Sequence, residues 1–239
     1  PEWPDPPKTV VADTLDDVDM AIVSGNPALV YTTSAGDLGY VRAASYSGTE
    51  WGTPVTAVDD GDYSTVSPVM TIVDGNPAAG YRRSKFLEDD VLMYVRASNS
   101  VGSTWGAPAP VLTAPGGRYI WFLNMAIVNG RPAFAMAFGG VFDCRMSFVR
   151  AADGQGSAWG GEVSPVPDAF VYDLSMDVVD LYPAIAYADF DSGDAKYVRA
   201  GSPEGTSWRP PVTAAAGTKV YSVELGRVNA YPAIAYADL

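Results

Sequence analysis

An all-β fold, a five-bladed β-propeller with four-stranded blades, follows from three features of the sequence. A Pro-Ala pair after a short apolar run occurs five times, at Pro27, Pro77, Pro132, Pro183 and Pro232, in steps of 50, 55, 51 and 49 residues. A Tyr-Val-Arg-Ala segment or near copy places Arg42, Arg96, Arg150 and Arg199 equivalently. A tryptophan follows each arginine by nine residues: Trp51, Trp105, Trp159 and Trp208. No segment carries helical periodicity. Repeats of about 50 residues with four strands fit a propeller, whereas a β-solenoid uses shorter repeats.

Each unit reads as four short strands. The first carries Met20, Met70, Met125, Met176 or Leu225, seven residues before the proline. Two residues later stand Ile22, Ile72, Ile127, Val178 and Arg227, the period of one strand face. The second strand follows the proline, as in Pro183 to Tyr187, and the third is the Tyr-Val-Arg-Ala segment. The fourth follows the tryptophan, as in Trp51 to Ala57. Prolines at a second-strand start or in an outer strand leave no ladder donor missing. At the ends, Trp3 to Asp17 resembles a fourth strand with its loop, and Val223 to Leu239 supplies a first and second strand. The last blade would combine both ends and protect the sheet edges, yet lacks its third strand. A longer parent chain or a strand donor would complete it.

The 239 residues are read as a single domain, 1–239, of a longer or processed chain, because the sequence opens on Pro1. Hydrophobic residues at 48% and charged residues at 18% describe a globular chain, and 24 Gly with 19 Pro fit many turns. No apolar run approaches the roughly 20 residues of a membrane helix. Histidine is absent, which removes His-dependent triads and most zinc sites. A lone Cys144 excludes an intrachain disulfide. A net charge of −13 argues against a nucleic-acid backbone or an anionic membrane as partner.

Between third and fourth strands each unit reads Arg-Ala, small or polar residues, Gly, two residues, Trp; the clearest copy is Ser98 to Trp105. This resembles the Asp-box, or bacterial neuraminidase repeat, of sialidase-type propellers, with pattern Ser-x-Asp-x-Gly-x-Thr-Trp. Gly and Trp match in four copies (Gly48/Trp51, Gly102/Trp105, Gly156/Trp159, Gly205/Trp208), while Tyr46, Ser100, Gly154 and Pro203 replace the Asp. The repeat is a degenerate one. Pro183 to Asp189 and Pro232 to Asp238 are also similar to tandem units of bacterial secreted proteins. The resemblance implies a propeller fold and an extracellular or cell-surface location. The sialidase arginine triad and Tyr–Glu pair are not assembled; Gly130-Arg131-Pro132 alone resembles the Arg-Ile-Pro signature. Independently of the family, Gly allows a positive φ in the turn, Trp packs between blades, and Arg bonds carbonyls or a carboxylate. Four anion sites are the alternative reading of the arginines.

Three sets of residues are candidate sites. Trp121, Tyr172 and Tyr221 each lie 11 residues before a Pro-Ala pair, with Tyr63 and Tyr119 slightly earlier in their units. They suit sugar stacking, with Asp62, Arg118 and Asp173 to bond hydroxyls, or else inter-blade packing. Asp189, Asp191 and Asp194 alternate around a Gly turn like the start of a calcium loop, and Asp59-Asp60-Gly61-Asp62 is a second such cluster. Asp19, Asp177 and Glu224 lie on innermost strands six or eight residues before the proline. Glycoside hydrolysis needs such a set with one carboxyl kept protonated; the alternative is a hydrated channel or a cation site. On balance the sequence points to a non-enzymatic extracellular recognition or adhesion module, with glycans as the candidate ligand. The alternatives are a structural subunit of a surface assembly and a glycoside hydrolase.

Overall fold

In a computed structural model, residues 9–13, 15–114, 118–140, 144–217 and 219–239 are described. Every regular element among them is a β-strand, and all pairing is antiparallel. Sheet 1 holds β1 (Val18–Val23), β2 (Asn26–Thr32), β3 (Leu38–Arg42) and β4 (Val55–Val58). Sheet 2 holds β5 (Ser64–Val73), β6 (Asn76–Ser84), β7 (Val91–Arg96) and β8 (Ala109–Thr113). Sheet 3 has β9 (Tyr119–Val128), β10 (Arg131–Gly139) and β11 (Arg145–Arg150). Sheet 4 has β12 (Val171–Val179), β13 (Tyr182–Asp189), β14 (Ala195–Arg199) and β15 (Val212–Ala215). Sheet 5 has β16 (Val220–Val228) and β17 (Tyr231–Asp238). Strands follow chain order within each sheet. In sheet 3 the expected fourth strand is reduced to bridges at Val163 and Trp159. Trp3 and the segment to Lys8 lie outside the described residues.

The first hairpin of every sheet turns on two residues of positive φ: Ser24-Gly25, Asp74-Gly75, Asn129-Gly130, Asp180-Leu181 and Asn229-Ala230. That conformation is the type I′ turn, whose twist matches the strands it joins. Between third strand and tryptophan, Gly102 has φ +75°, and a Cβ there would fall 2.5 Å from the Tyr40 ring. Gly156 and Gly205 lie equally close to Tyr94 and Phe148. The glycine is therefore required both by the turn and by the neighbouring sheet.

The repeated arginine and tryptophan serve structure. Arg42 Nε and Nη2 donate to the Val23 and Ser24 carbonyls at 2.8 and 2.9 Å. Arg96 does the same to Val73 and Asp74, and Arg150 to Val128 and Asn129. Arg199 bonds the Asp180 carbonyl and carboxylate. The indoles of Trp51, Trp105 and Trp208 donate to Gly48, Gly102 and Gly205. The Trp159 indole N–H lacks such a partner; its ring packs on Tyr94 and Phe134 instead.

Successive sheets bury their faces against one another. Apolar cores join sheet 1 to 2, 2 to 3, 3 to 4 and 4 to 5. Their first strands β1, β5, β9, β12 and β16 are neighbours in that order. Among the described residues no core joins sheet 5 to sheet 1, and no sheet is closed. Met20 on β1 is accordingly 61% exposed, where its counterpart Met70 is 6% exposed. No helix long and apolar enough to cross a membrane is present among the described residues.

Candidate active site

Acidic residues on first strands tie sheet 1 to sheet 2 and sheet 4 to sheet 5. The Met70 amide donates to Asp19 Oδ2 at 2.7 Å, and the Met20 amide to Oδ1. The Val223 and Leu174 amides donate to the two oxygens of Asp173 at 2.9 Å each. Asp177 accepts from the Val178 amide and forms an ion pair with Arg227 Nε at 2.9 Å. These three acids converge electrostatically on Glu224 of β16. Burial first, then the charges of Asp173, Asp19 and Asp177, push the Glu224 carboxyl above its ordinary range, with the nearby Ser175 hydroxyl opposing the shift. Burial also raises Asp19 and Asp173, against the amides that stabilise their charged forms. Ser175 is 1% exposed, and its hydroxyl is directed at the Glu224 carboxyl.

Two adjoining clefts, about 280 and 290 Å³, open at the start of the same strands. The first is lined by Tyr172, Phe190 and Tyr221, the second by Trp121, Phe170, Tyr172 and Phe190. Tyr172 and Phe190 are stacked at 6.2 Å and stand in both. The strands show why these rings are available. In β12 and β16 the register slips across Tyr172 and Tyr221, and in β9 two residues, Ile120 and Phe122, pair on either side of Trp121. A bulge re-aims the extra side chain, and Trp121, Tyr172 and Tyr221 are each about two-fifths to one-half exposed. Tyr119 packs edge-on against Trp121 at 5.7 Å.

The structure sorts the sequence expectations. It joins Trp121, Tyr172 and Tyr221 in one aromatic surface and adds Phe190, which the sequence did not single out. An apolar residue at a hairpin tip was the available signal. Tyr63 lies elsewhere: its hydroxyl donates to Glu88 at 2.7 Å, and Arg83 and Lys85 lie over its ring. In the calcium-loop candidate the acids have protein partners. Asp189 is spent on Lys196 at 3.0 Å and on Ser192, and Asp194 accepts from the Gly217 amide. Among the described residues no three acidic side chains, Asp191 included, gather to hold a metal. In the second acidic loop, Asp60 accepts from Tyr81 and Asp59 from the Gly61 amide. Within the carboxylate set, Asp173 joins Asp19 and Glu224, while Asp177 is held by Arg227.

No family model and no curated protein matches the sequence. Solved structures match the fold. An α-L-arabinofuranosidase from Lactobacillus brevis aligns with a TM-score of 0.58 at 10% identity, over 91% of this chain and 81% of that one. A family-43 β-xylosidase/α-arabinofuranosidase from a compost microbial metagenome aligns at 0.57 and 12% identity, over 96% and 87%. The NanB sialidase of Streptococcus pneumoniae aligns at 0.63 and 9% identity, over 93% of this chain and 56% of that one. At such identities the likeness is one of fold. Glycoside hydrolases of this fold nevertheless predominate among the similar structures. That finding corrects the expectation of a non-enzymatic recognition or adhesion module. The carboxylate set that the sequence offers for the hydrolase alternative, Asp19, Asp177 and Glu224, gains Asp173 in the fold.

Proposed function

We propose that the chain is a glycoside hydrolase on a five-bladed propeller of degenerate Asp-box repeats, acting on a polysaccharide outside the cell. One arrangement carries the reading: Glu224 stands exposed on β16 facing three other carboxylates, Asp173, Asp19 and Asp177, and partial desolvation with their charges pushes its carboxyl above the ordinary range. A carboxylic acid in that condition can protonate a glycosidic oxygen, while an ionised neighbour serves as base or nucleophile. Asp173 fits the second role. It exerts the largest charge effect on Glu224, its two oxygens are positioned by amides, and it adjoins Tyr172 of the aromatic clefts. Asp19 and Asp177 keep the Glu224 proton in place. Trp121, Tyr172, Phe190 and Tyr221 offer faces on which successive sugar rings stack.

The test is reducing-sugar release from a panel of plant and algal polysaccharides, with aryl arabinofuranosides and xylosides alongside. Glu224→Gln lowers kcat on the polysaccharide by about 10²–10⁴-fold. It lowers turnover of aryl glycosides less, because their leaving group needs no proton. Wild-type activity declines as pH rises through the raised Glu224 pKa. Full turnover in Glu224→Gln, or none on any substrate by the wild type, overturns the reading.

A further inference from the structure

We infer that the inner edge of β9, at Leu123 and Met125 with the side chain of Asn124, binds the hydroxyls of a neutral sugar. The inference deepens the hydrolase reading and rests on it for the ligand being a glycan.

Each first strand has one edge that its own sheet leaves free. Seven residues before the proline, Met20 pairs with Leu29, Met70 with Ala79, Met125 with Phe134 and Met176 with Ile185, all in one register. At this position the amide and carbonyl both turn away from the second strand, and the Met20 and Met70 amides are taken by Asp19 instead. The first strands are neighbours in chain order, and Asp19 on β1 acts on Glu224 of β16, at the other end of the row. The row therefore bends round an axis with its free edges inward. β9, the middle strand, faces the two end strands.

The inner edges of β1, β5, β12 and β16 have carboxylate acceptors. Asp19 takes the Met20 and Met70 amides, Asp17 the Ser67 amide, Asp173 those of Leu174 and Val223, and Asp177 that of Val178. On β9, Asp90 takes the Ile120 amide at the start of the strand. Beyond it, the Leu123 and Met125 amides meet no acceptor among the described residues. The sequence explains the difference. At the position of Asp19, sheet 2 has Val69, which packs into the core against sheet 3, and sheet 3 has Asn124. An acid placed like Asp19 would reach the Met125 and Met176 amides. Asn124, half-buried, bonds neither of them nor any other group among the described residues. Phe122, on the same strand face, lines the second cleft beside Trp121. A sugar stacked in that cleft therefore borders the free edge.

This edge offers N–H and C=O side by side, and the Asn124 amide adds one more donor and acceptor. A hydroxyl both donates and accepts, so it matches each of these groups. A carboxylate or sulfate would face the backbone carbonyls and the charges of Asp19, Asp173 and Asp177, all repulsive. The ligand is accordingly a neutral glycan, with hydroxyls on Leu123, Met125 and Asn124 and its glycosidic oxygen toward Glu224.

Backbone amide NMR of the wild-type chain, titrated with neutral xylo-, arabino- and galacto-hexaoses and separately with hexagalacturonate, tests the site. Glu224→Gln replaces the wild type where a sugar is cut. The proposal expects saturable shifts at the Leu123, Met125 and Met176 amides with a neutral hexaose, and binding at least about 10-fold weaker for hexagalacturonate. Asn124→Asp places a carboxylate as Asp19 is placed. Its Met125 and Met176 resonances move before any sugar is added, and the neutral hexaose then binds about 10-fold more weakly. No shift at these amides with any neutral hexaose overturns the proposal, whether or not the variant folds. So does equal or tighter binding of hexagalacturonate, or wild-type affinity in Asn124→Asp. Reducing-sugar release separates the two readings. Cleavage without these shifts removes the site and leaves the hydrolase; saturable shifts in a chain that cleaves nothing keep the site and remove the hydrolase.

Discussion

β13 and β17 have the same eight residues, Tyr-Pro-Ala-Ile-Ala-Tyr-Ala-Asp, and different fates. Both are second strands, both follow a two-residue turn of positive φ, and both pair with the preceding strand in the same register. In β13 the residues from Pro183 to Asp189 are buried. In β17 none is. Local sequence is therefore enough to make the hairpin, and burial is decided by what lies on either side. β13 has a third strand on its outer edge and a sheet against each face; among the described residues β17 has a sheet against one face and no strand on its outer edge.

The sharpest test of this contrast is a matched pair of truncations. Tyr187 is 1% exposed and Tyr236 is 46% exposed. Tyr187→Ala opens a core cavity and costs about 3–5 kcal/mol. Tyr236→Ala costs within about 0.5 kcal/mol. Urea titrations of both variants measure the difference. Similar losses would mean that β17 is covered in solution as β13 is.

A second pair probes the turns and costs somewhat less. Gly102 has a positive φ and the Tyr40 ring against its missing Cβ, so Gly102→Ala loses about 2–4 kcal/mol. Gly226, on β16 at the open side, has an ordinary φ and no heavy atom within 4 Å of a Cβ. Gly226→Ala gains about 0.4–1 kcal/mol by restricting the unfolded chain. Thermal melts of the two variants give both signs; a loss at Gly226 would show that this side closes tightly.

Repetition explains what the sequence revealed and what it hid. The proline, arginine and tryptophan recur because each makes a bond inside its own unit, so their spacing alone located the strands, the turns and the unfinished last sheet. The candidate site is not repeated. Asp19, Asp173, Asp177 and Glu224 occupy three different rows of three different first strands. Their common field exists only once the sheets stand side by side. Asp173 was legible as a polar neighbour of an aromatic ring and not as a partner of Glu224. The acidic hairpin alternates like a metal loop, and Lys196 on the adjoining strand pairs with Asp189. Phe190 joins the cleft because the hairpin tip sets its ring against the bulged Tyr172.

The smallest expected effect compares equivalent positions in sheets 4 and 5. Eight residues before the proline, sheet 4 has the neutral Ser175 and sheet 5 has Glu224. The folded-state pKa of Glu224 is raised, so the folded protein binds more protons than the unfolded chain between the two values. Stability then falls as pH rises through the folded pKa, and the penalty is complete above it. Below the unfolded pKa both states are protonated and the penalty vanishes. Glu224→Gln removes the charge and leaves the shape. It raises Tm by about 1–2 °C at pH 7 and leaves it unchanged near pH 4. Asp19 and Asp173 have the same sign but also hold backbone amides of the next sheet, so Asp19→Asn weakens a tie as it removes a charge. A Glu224→Gln variant less stable than wild type at pH 7 would place that carboxylate among the structural ties and take away its reason to hold a proton.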